Sequence, residues 1–438
     1  MKRLFKFSLI AFALFSSTTL FSQKKWTLEE CISYALQNNI QIKREVLQSQ
    51  KYKKDRLGAF TNFTPSLGAQ FNHNIQIGKF FSSISGEFVN NPQEGTGGIG
   101  GSIDLTRGLT KWNYLAQTKF DLLASLEGVE ELKRDVSLNV AAKYLEVLYA
   151  NENYNLAINR LSVSDKQVES SKQQYELGRI SNGDYLQIKS QAIAEKVQLT
   201  NARNSLDMST LELAQLLELQ DVNGFQIVTD NIAIPTDTVS LGFRQYYEEA
   251  LVTMPSIRRV NYNKKSADKR YIQAIGSALP NVSLSYQVSS YYTDQLTDTY
   301  IEQAKDNIQK YVSFQLTIPI YGRLQNYIRI SKAKIDKLDA AYAVEETEKN
   351  LLKSVQQAFA DAKGEYYRFK SMVESEASYR EVFESSQEKF NLGMINAVDY
   401  GVARNNYIKV QGDLLHAKYS YLLKLKILDF YRGTPISL

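Results

Sequence analysis

The sequence predicts a mainly α-helical fold with a transmembrane β portion, built as two copies of one helix–strand–strand–long-helix hairpin. Three observations predict it. The chain matches itself at one constant offset of 215 residues, with Pro65 recurring as Pro280 and Gly178 as Gly393. Four segments alternate between apolar and polar residues, two in each copy. Prolines are missing from Pro92 to Pro235 and from Pro319 to Pro435, where apolar residues recur every three or four positions instead.

Composition narrows the function. The 438 residues carry 52 Lys+Arg against 47 Asp+Glu, and a mean hydropathy of −0.34 excludes a polytopic helical membrane protein. One Cys (Cys31) excludes a disulfide framework and a multi-thiolate metal site, and two His (His73 and His416) leave little for histidine-based catalysis. Lys2, Arg3 and Lys6, the apolar run Leu9–Phe15 and the small polar stretch Ser16–Thr19 have the order of a secretory leader. The apolar run is too short for a membrane anchor, which needs about 20 residues. Cleavage is expected after Ser22. It removes three basic residues, which leaves a near-neutral chain and no case for nucleic-acid binding.

The expected organisation is a leader over 1–22, a first repeat over 23–218, a linker over 219–240 and a second repeat over 241–438. Each repeat opens on a helix, with Ile32, Leu36 and Ile40 in one copy and Tyr247, Leu251 and Val260 in the other. Thr27 with Glu30 forms a capping box. Strands follow at about 65–77 and 99–106, then at about 280–290 and 311–320. In the first, Leu67, Ala69, Phe71, Ile75 and Ile77 share one face, where His73 also falls, and Ser66, Gly68, Gln70, Asn72, Asn74 and Gln76 share the other. Val312, Phe314, Leu316, Ile318 and Ile320 repeat the pattern. The helical tracts run from about 112 to 176 and from about 324 to 391, with pattern breaks only near Gly128 and Gly364. Each helix is then on the order of 100 Å long. The pairs turn back over 175–185 and 390–400, at Gly178 and Gly393.

A sandwich needs about seven strands. These four have instead the length and alternation of outer-membrane strands. Four strands cannot close a barrel, since about eight is the smallest. Two chains would give a filled barrel of eight strands and three an open one of twelve.

The leader, the duplicated architecture and the turn Y-x-L-G-x-I-x-x-x-D (175–184), repeated as F-x-L-G-x-I-x-x-x-D (390–399), resemble the TolC family of outer membrane efflux proteins. The resemblance spans essentially the whole mature chain. It implies a homotrimer with a twelve-stranded barrel in outer-membrane lipid, continued by a long periplasmic α-helical barrel. It also implies a passive exit duct, without enzyme activity or cofactor, that receives small molecules or proteins from an inner-membrane transporter through a periplasmic adaptor. Leu177-Gly178-Arg179 and Leu392-Gly393-Met394 would form the adaptor-docking tips. Asp184, Asp399, Tyr175, Phe390 and Arg179 would form the periplasmic gate, with three copies of Asp399 making a carboxylate ring. Both aspartates also suit the first turn of a returning helix.

Two departures bear on that gate. Ile395 stands where the family's second tip carries arginine, and Phe390 where it carries tyrosine, so Tyr175 and Arg179 become the substitutes for its closing links. Val402 also replaces a second acid beyond Asp399. Phe80, Phe81, Phe88, Tyr291, Tyr292, Tyr300, Tyr311 and Tyr321 cluster at strand ends, as in an interfacial girdle or ordinary hairpin packing. The polar loops 78–96 and 293–309 would face outside the cell. Gly95–Gly100 satisfies GxGxxG but precedes a strand, which argues against a dinucleotide site. Glu130-Glu131 and Glu345-Glu346 read as helix-surface charge. The rival reading is a periplasmic coiled-coil scaffold or adaptor without a membrane barrel.

Overall fold

The computed structural model describes residues 25–222, 224–229, 242–322 and 324–437, so the expected leader and most of the linker lie outside the described residues. The first half runs β1 (Lys25–Trp26), α1 (Leu28–Asn38), α2 (Ile40–Thr61), β2 (Ser66–Ile75), β3 (Lys79–Phe81), β4 (Phe88–Asn90), β5 (Gln93–Arg107), α3 (Thr110–Glu176) and α4 (Asn182–Leu216). The second half runs β6 (Gln226–Ile227), α5 (Phe243–Thr253), α6 (Pro255–Gly276), β7 (Asn281–Thr293), α7 (Tyr300–Asp306), β8 (Gln309–Thr317), α8 (Gln325–Asn391) and α9 (Ala397–Arg432).

The opening helix of each copy is two helices, not one. Asn39 turns to ψ 124 and its side chain accepts from the Ile42 amide at 3.1 Å, which ends α1 and starts α2. Met254, 215 residues on, turns to ψ 122 because Pro255 excludes the helical conformation before it while suiting the first position of α6. The expected capping box at Thr27 is present, with both reciprocal bonds to Glu30. The long helices α3 and α8 are continuous through Gly128 and Gly364, at 67 residues each, or about 100 Å. A single glycine weakens a helix interior by only about 1 kcal/mol, too little to break one of 67 residues.

The chain divides into two units. The first comprises Met1–Lys43, Glu131–Met254 and Asn350–Leu438. Its core joins Val140 and Tyr144 of α3, Leu213 of α4, Ala250 of α5, Val355 of α8 and Tyr421 of α9, all essentially buried. The Tyr144 hydroxyl donates to the carbonyls of Trp26 (3.2 Å) and Val228 (2.9 Å), which ties the parallel pair β1–β6 to α3. Helix α9 is fastened by ion pairs to four other helices. Arg404 meets Glu195 of α4 at 3.1 Å, Lys418 meets Glu152 of α3 at 2.7 Å, Lys424 meets Asp361 of α8 at 2.8 Å, and Arg432 meets Glu249 of α5 at 2.9 Å.

The second unit comprises Arg44–Glu130 and Pro255–Lys349. Its four strands form one antiparallel sheet, in the order β2–β5–β7–β8. The strands of the two copies therefore join through β5 and β7. All four helix connections leave from one end of the sheet and both loops from the other. The loops hold structure that alternation alone does not reveal. β3 and β4 pair as a short hairpin, and α7 docks on β7 through Gln303, whose side chain bonds both the amide and the carbonyl of Thr293.

Candidate functional site

The sheet's register builds two chemically distinct faces. Leu67 lies beside Gly101, Tyr286 and Val312, and Leu284 lies between Ile103 and Phe314. This apolar face is uncovered: Leu67, Phe71, Phe314 and Leu316 are 60–78% exposed. Each such side chain left in water forgoes about 1.5–3 kcal/mol, so the face needs an apolar solvent. Phe71 lies against Gly97 of β5, where a methyl group would sit 2.8 Å from the ring. The opposite face reads Ser66–Ser102–Ser285–Ser313, then Gly68–Gly100–Gln287–Tyr311, then Gln70–Gly98–Ser289–Gln309. Across those three rows it is neutral and hydrogen-bonding. Strands β2 and β8 each have a partner on one side only among the described residues.

The hairpin tips lie in the first unit and share one backbone design. Gly178 and Gly393 adopt φ 69 and 70, a left-handed conformation that glycine takes without Cβ strain. In the first tip Gly178 N donates to Tyr175 O at 2.8 Å and Arg179 N to Gln174 O at 2.8 Å. In the second, Gly393 N donates to Phe390 O at 2.9 Å and Met394 N to Lys389 O at 2.8 Å. These paired bonds close each long helix as a Schellman motif.

The side chains of the two tips diverge. Ser181 caps α4, and the Asp184 carboxylate is held there, accepting from Ser181 Oγ at 2.7 Å and Ser181 N at 3.3 Å. Asn396 caps α9 through its own amide oxygen, which accepts from Val398 N and Asp399 N at 2.9 and 2.8 Å. The Asp399 carboxylate is thus released from capping and exposed, with no partner among the described residues. Tyr175 stacks on Tyr185 at 5.7 Å and stays 41% exposed. Its counterpart Phe390 stacks on Tyr400 at 5.1 Å but is only 2% exposed, packed with Ile188, Ala397 and Val168. Phe390 therefore belongs to the core of the second tip. Burial also pushes the Tyr400 phenol up, and its hydroxyl has no partner among the described residues. Leu177, Leu392 and Met394 are exposed at 67, 72 and 71%, as is Arg179 in the same turn.

Sequence reasoning misses one buried cluster above the tips. Arg404 donates to Glu195 and to Ser164 Oγ, while Arg160 donates to Ile408 O at 2.7 Å. Burial pushes the Arg160 guanidinium below its ordinary value, with Glu195 opposing the shift. The partners lie more than 200 positions apart in sequence, so no local pattern reveals them.

An amphipathic sheet with one unpaired edge on each side among the described residues, joined to helices of about 100 Å, has the parts of an outer-membrane channel. The chain matches the outer membrane efflux protein model over residues 31–218 and 246–434, and it belongs to that family. It is 19% identical over 355 residues to the outer membrane protein TolC of Salmonella enteritidis, across 76% of this chain and 68% of that one. Its fold superposes on CusC, a transmembrane channel, with a TM-score of 0.81 at 16% identity, over 95% of this chain and 96% of that one. On the Campylobacter jejuni CmeC outer membrane channel it superposes with a TM-score of 0.79 at 18% identity, over 94% and 86%. As a member of that family the protein is an efflux duct of the outer membrane.

Proposed function

We propose that three copies of the chain close a twelve-stranded barrel, through which cargo leaves after delivery by an inner-membrane transporter and a periplasmic adaptor. The observation that carries this is the sheet, with two faces of opposite polarity and an open side on both β2 and β8. Unpaired backbone groups cost several kcal/mol each in lipid, so pairing between chains is required. The polar face favours three copies over two. An eight-stranded barrel fills its interior with side chains, and on β2 and β5 this face is mostly Gly and Ser (Ser66, Gly68, Gly98, Gly100, Ser102), with the bulk of Gln70, Gln287, Gln309 and Tyr311 set among them. The exposed tips Leu177-Gly178-Arg179 and Leu392-Gly393-Met394 offer the adaptor two related but unequal surfaces.

The duct needs no catalytic group. Its selectivity at the periplasmic entrance falls to Asp399, whose uncommitted carboxylate repeats three times in a trimer and attracts cations. Asp184, spent on its cap, contributes shape instead. The test is membrane fractionation followed by mass measurement in detergent and conductance in planar bilayers. A detergent-soluble trimer that conducts is expected, and recovery as a soluble monomer would sink the duct reading in favour of a periplasmic scaffold. Asp399→Ala is expected to raise conductance or weaken block by multivalent cations. Unchanged conductance and block would remove Asp399 from the constriction.

A further inference from the structure

We propose that the helix ends adjoining the sheet form a cationic fringe that binds anionic phospholipid headgroups of the periplasmic leaflet. The inference rests on the outer-membrane placement of the sheet and goes beyond it, to the kind of lipid that the protein selects. All four helix connections leave one end of the sheet. Within 51–61, 110–121, 264–276 and 325–337, stretches reaching about 17–20 Å into each helix, the sequence carries 14 Lys or Arg and 4 Asp. The loop end has the opposite sign, with five acids and two lysines across 76–92 and 294–308. A membrane strand pattern alone requires no such asymmetry.

Much of this charge is uncommitted. Arg270 and Lys337 pair with Asp121 and Asp268 inside the unit. Lys51, Lys53, Lys54 and Arg56 on α2 are exposed and make no ion pair among the described residues. Arg329, Lys332 and Lys334 on α8 are in the same condition. Exposed cations normally sit beside acids on a helix surface, at i and i+3 or i+4. Here only Asp55 and Asp336 lie near them.

A second observation identifies what they face. Aromatic side chains are exposed at the same level, where an interfacial ring and cation mixture belongs. Trp112, in the first turn of α3, is 67% exposed and packs on Phe63 at 4.7 Å, with the Lys111 ammonium 5.8 Å above the Phe63 ring. Phe60 at 59% and Tyr327 at 69% are exposed on the neighbouring helix ends of α2 and α8. These residues lie at the end of the sheet from which the helices leave, Phe63 just before β2 and Trp112 just after β5. Apolar strand, amphipathic ring and unpaired cation thus follow one another along one end of the sheet. That is the order of hydrocarbon, interface and headgroup across one leaflet. Clustered Lys and Arg immediately beside a membrane span select anionic headgroups over zwitterionic ones. The lipid meant is therefore an anionic glycerophospholipid, held by its phosphate through charge and snorkelling side chains.

Native mass spectrometry of the detergent-solubilised oligomer, titrated with phosphatidylglycerol or phosphatidylethanolamine, tests this directly. The wild-type oligomer is expected to retain phosphatidylglycerol about tenfold better than phosphatidylethanolamine, and less so at high ionic strength. Replacing Lys51, Lys53, Lys54 and Arg56 together with glutamine should remove most of that preference while leaving the oligomer intact. If that variant does not assemble, Arg329→Gln, Lys332→Gln and Lys334→Gln together provide the same test on α8. An absent preference in the wild type, or one that survives in an assembled variant, overturns the proposal. The variant's reversal potential in planar bilayers under a salt gradient should equal that of the wild type. A shift toward cations with lipid retention intact would place these charges on the water path and also overturn it. A wild-type chain that never conducts would instead sink the duct reading, so the two failures are distinguishable.

Discussion

Arg404→Ala removes the guanidinium that fastens α9 to the first hairpin. That group donates to Glu195 Oε1 at 3.1 Å and to Ser164 Oγ, and the two ionic side chains are only 5% and 9% exposed. Removing one member of a buried pair costs about 3–5 kcal/mol, because the orphaned charge stays desolvated. The nearby Arg160 guanidinium also attracts Glu195, which places the loss near the lower end, at about 3 kcal/mol. At about 1.4 kcal/mol per decade, α9 should then open locally roughly a hundredfold more often around position 404. Hydrogen exchange of peptides covering 400–410, with the buried stretch 140–150 of α3 as internal control, reads that opening. Arg404→Met combined with Glu195→Met replaces the pair by apolar side chains of similar size and should recover most of the protection. Exchange within about threefold of wild type in the alanine variant would refute the reasoning. So would a double variant as open as the single one.

Three further outcomes follow from local geometry. Burial pushes the Cys31 thiol up to about 12, so the native protein should resist maleimide at neutral pH and react only after unfolding. Gly393→Ala should loosen the second tip by about 1–2 kcal/mol, since an L-residue is strained at φ 70, whereas Gly393→Asn should cost less; limited proteolysis at the tip measures both. The Lys424 hydrogen bond holds the Asp361 carboxyl below its ordinary value. This pair's contribution is therefore present above about pH 4 and lost as the pH falls further, and comparing acid unfolding of Asp361→Asn with wild type should show a smaller acid loss in the variant.

The features that the sequence reveals are those with a local cause. Period-two alternation marks β2, β7, β8 and the second half of β5 because each strand has two solvents, one per face. Strand β5 begins at Gln93 and not near 99, and its glycine-rich start (Gly95, Gly97, Gly98) carries no alternation to mark it. The reversals at Gly178 and Gly393 are legible because a left-handed residue and a cap lie within a few positions of each other. The break before Pro255 was available in the sequence too, since proline restricts its predecessor, and its twin at Asn39 follows from the offset. Helix α7 carried a signal in Thr299 and Glu302, a capping box inside what otherwise reads as a loop. The burial of Phe390 carried none. Tyr175 and Phe390 occupy matching positions in matching turns, and only the packing of α8 and α9 against α3 and α4 makes one exposed and the other buried.

That inequality has an identifiable origin. Gly401 of α9 is buried, and a methyl group there would run into the side-chain amide of Gln191 on α4. A methyl group would displace only the end of that flexible side chain, whereas a bulkier residue would have to push α4 itself away from α9. The corresponding residue of the first copy, 215 positions earlier, is Leu186, which is 50% exposed. Close approach at Gly401 brings Ile188 and Val168 onto Phe390 and Tyr400 and sets Arg404 within reach of Glu195 and Ser164. It follows that Gly401→Leu, which restores the residue of the first copy, should separate α4 from α9. Phe390 would become exposed and the Arg404–Glu195 pair would break, while both Schellman turns would stay intact because their bonds are internal to each hairpin. Increased exchange on α9 with unchanged protection at 177–179 and 392–394 would confirm that one small residue makes the tips unequal. Equal exchange throughout would place the cause elsewhere.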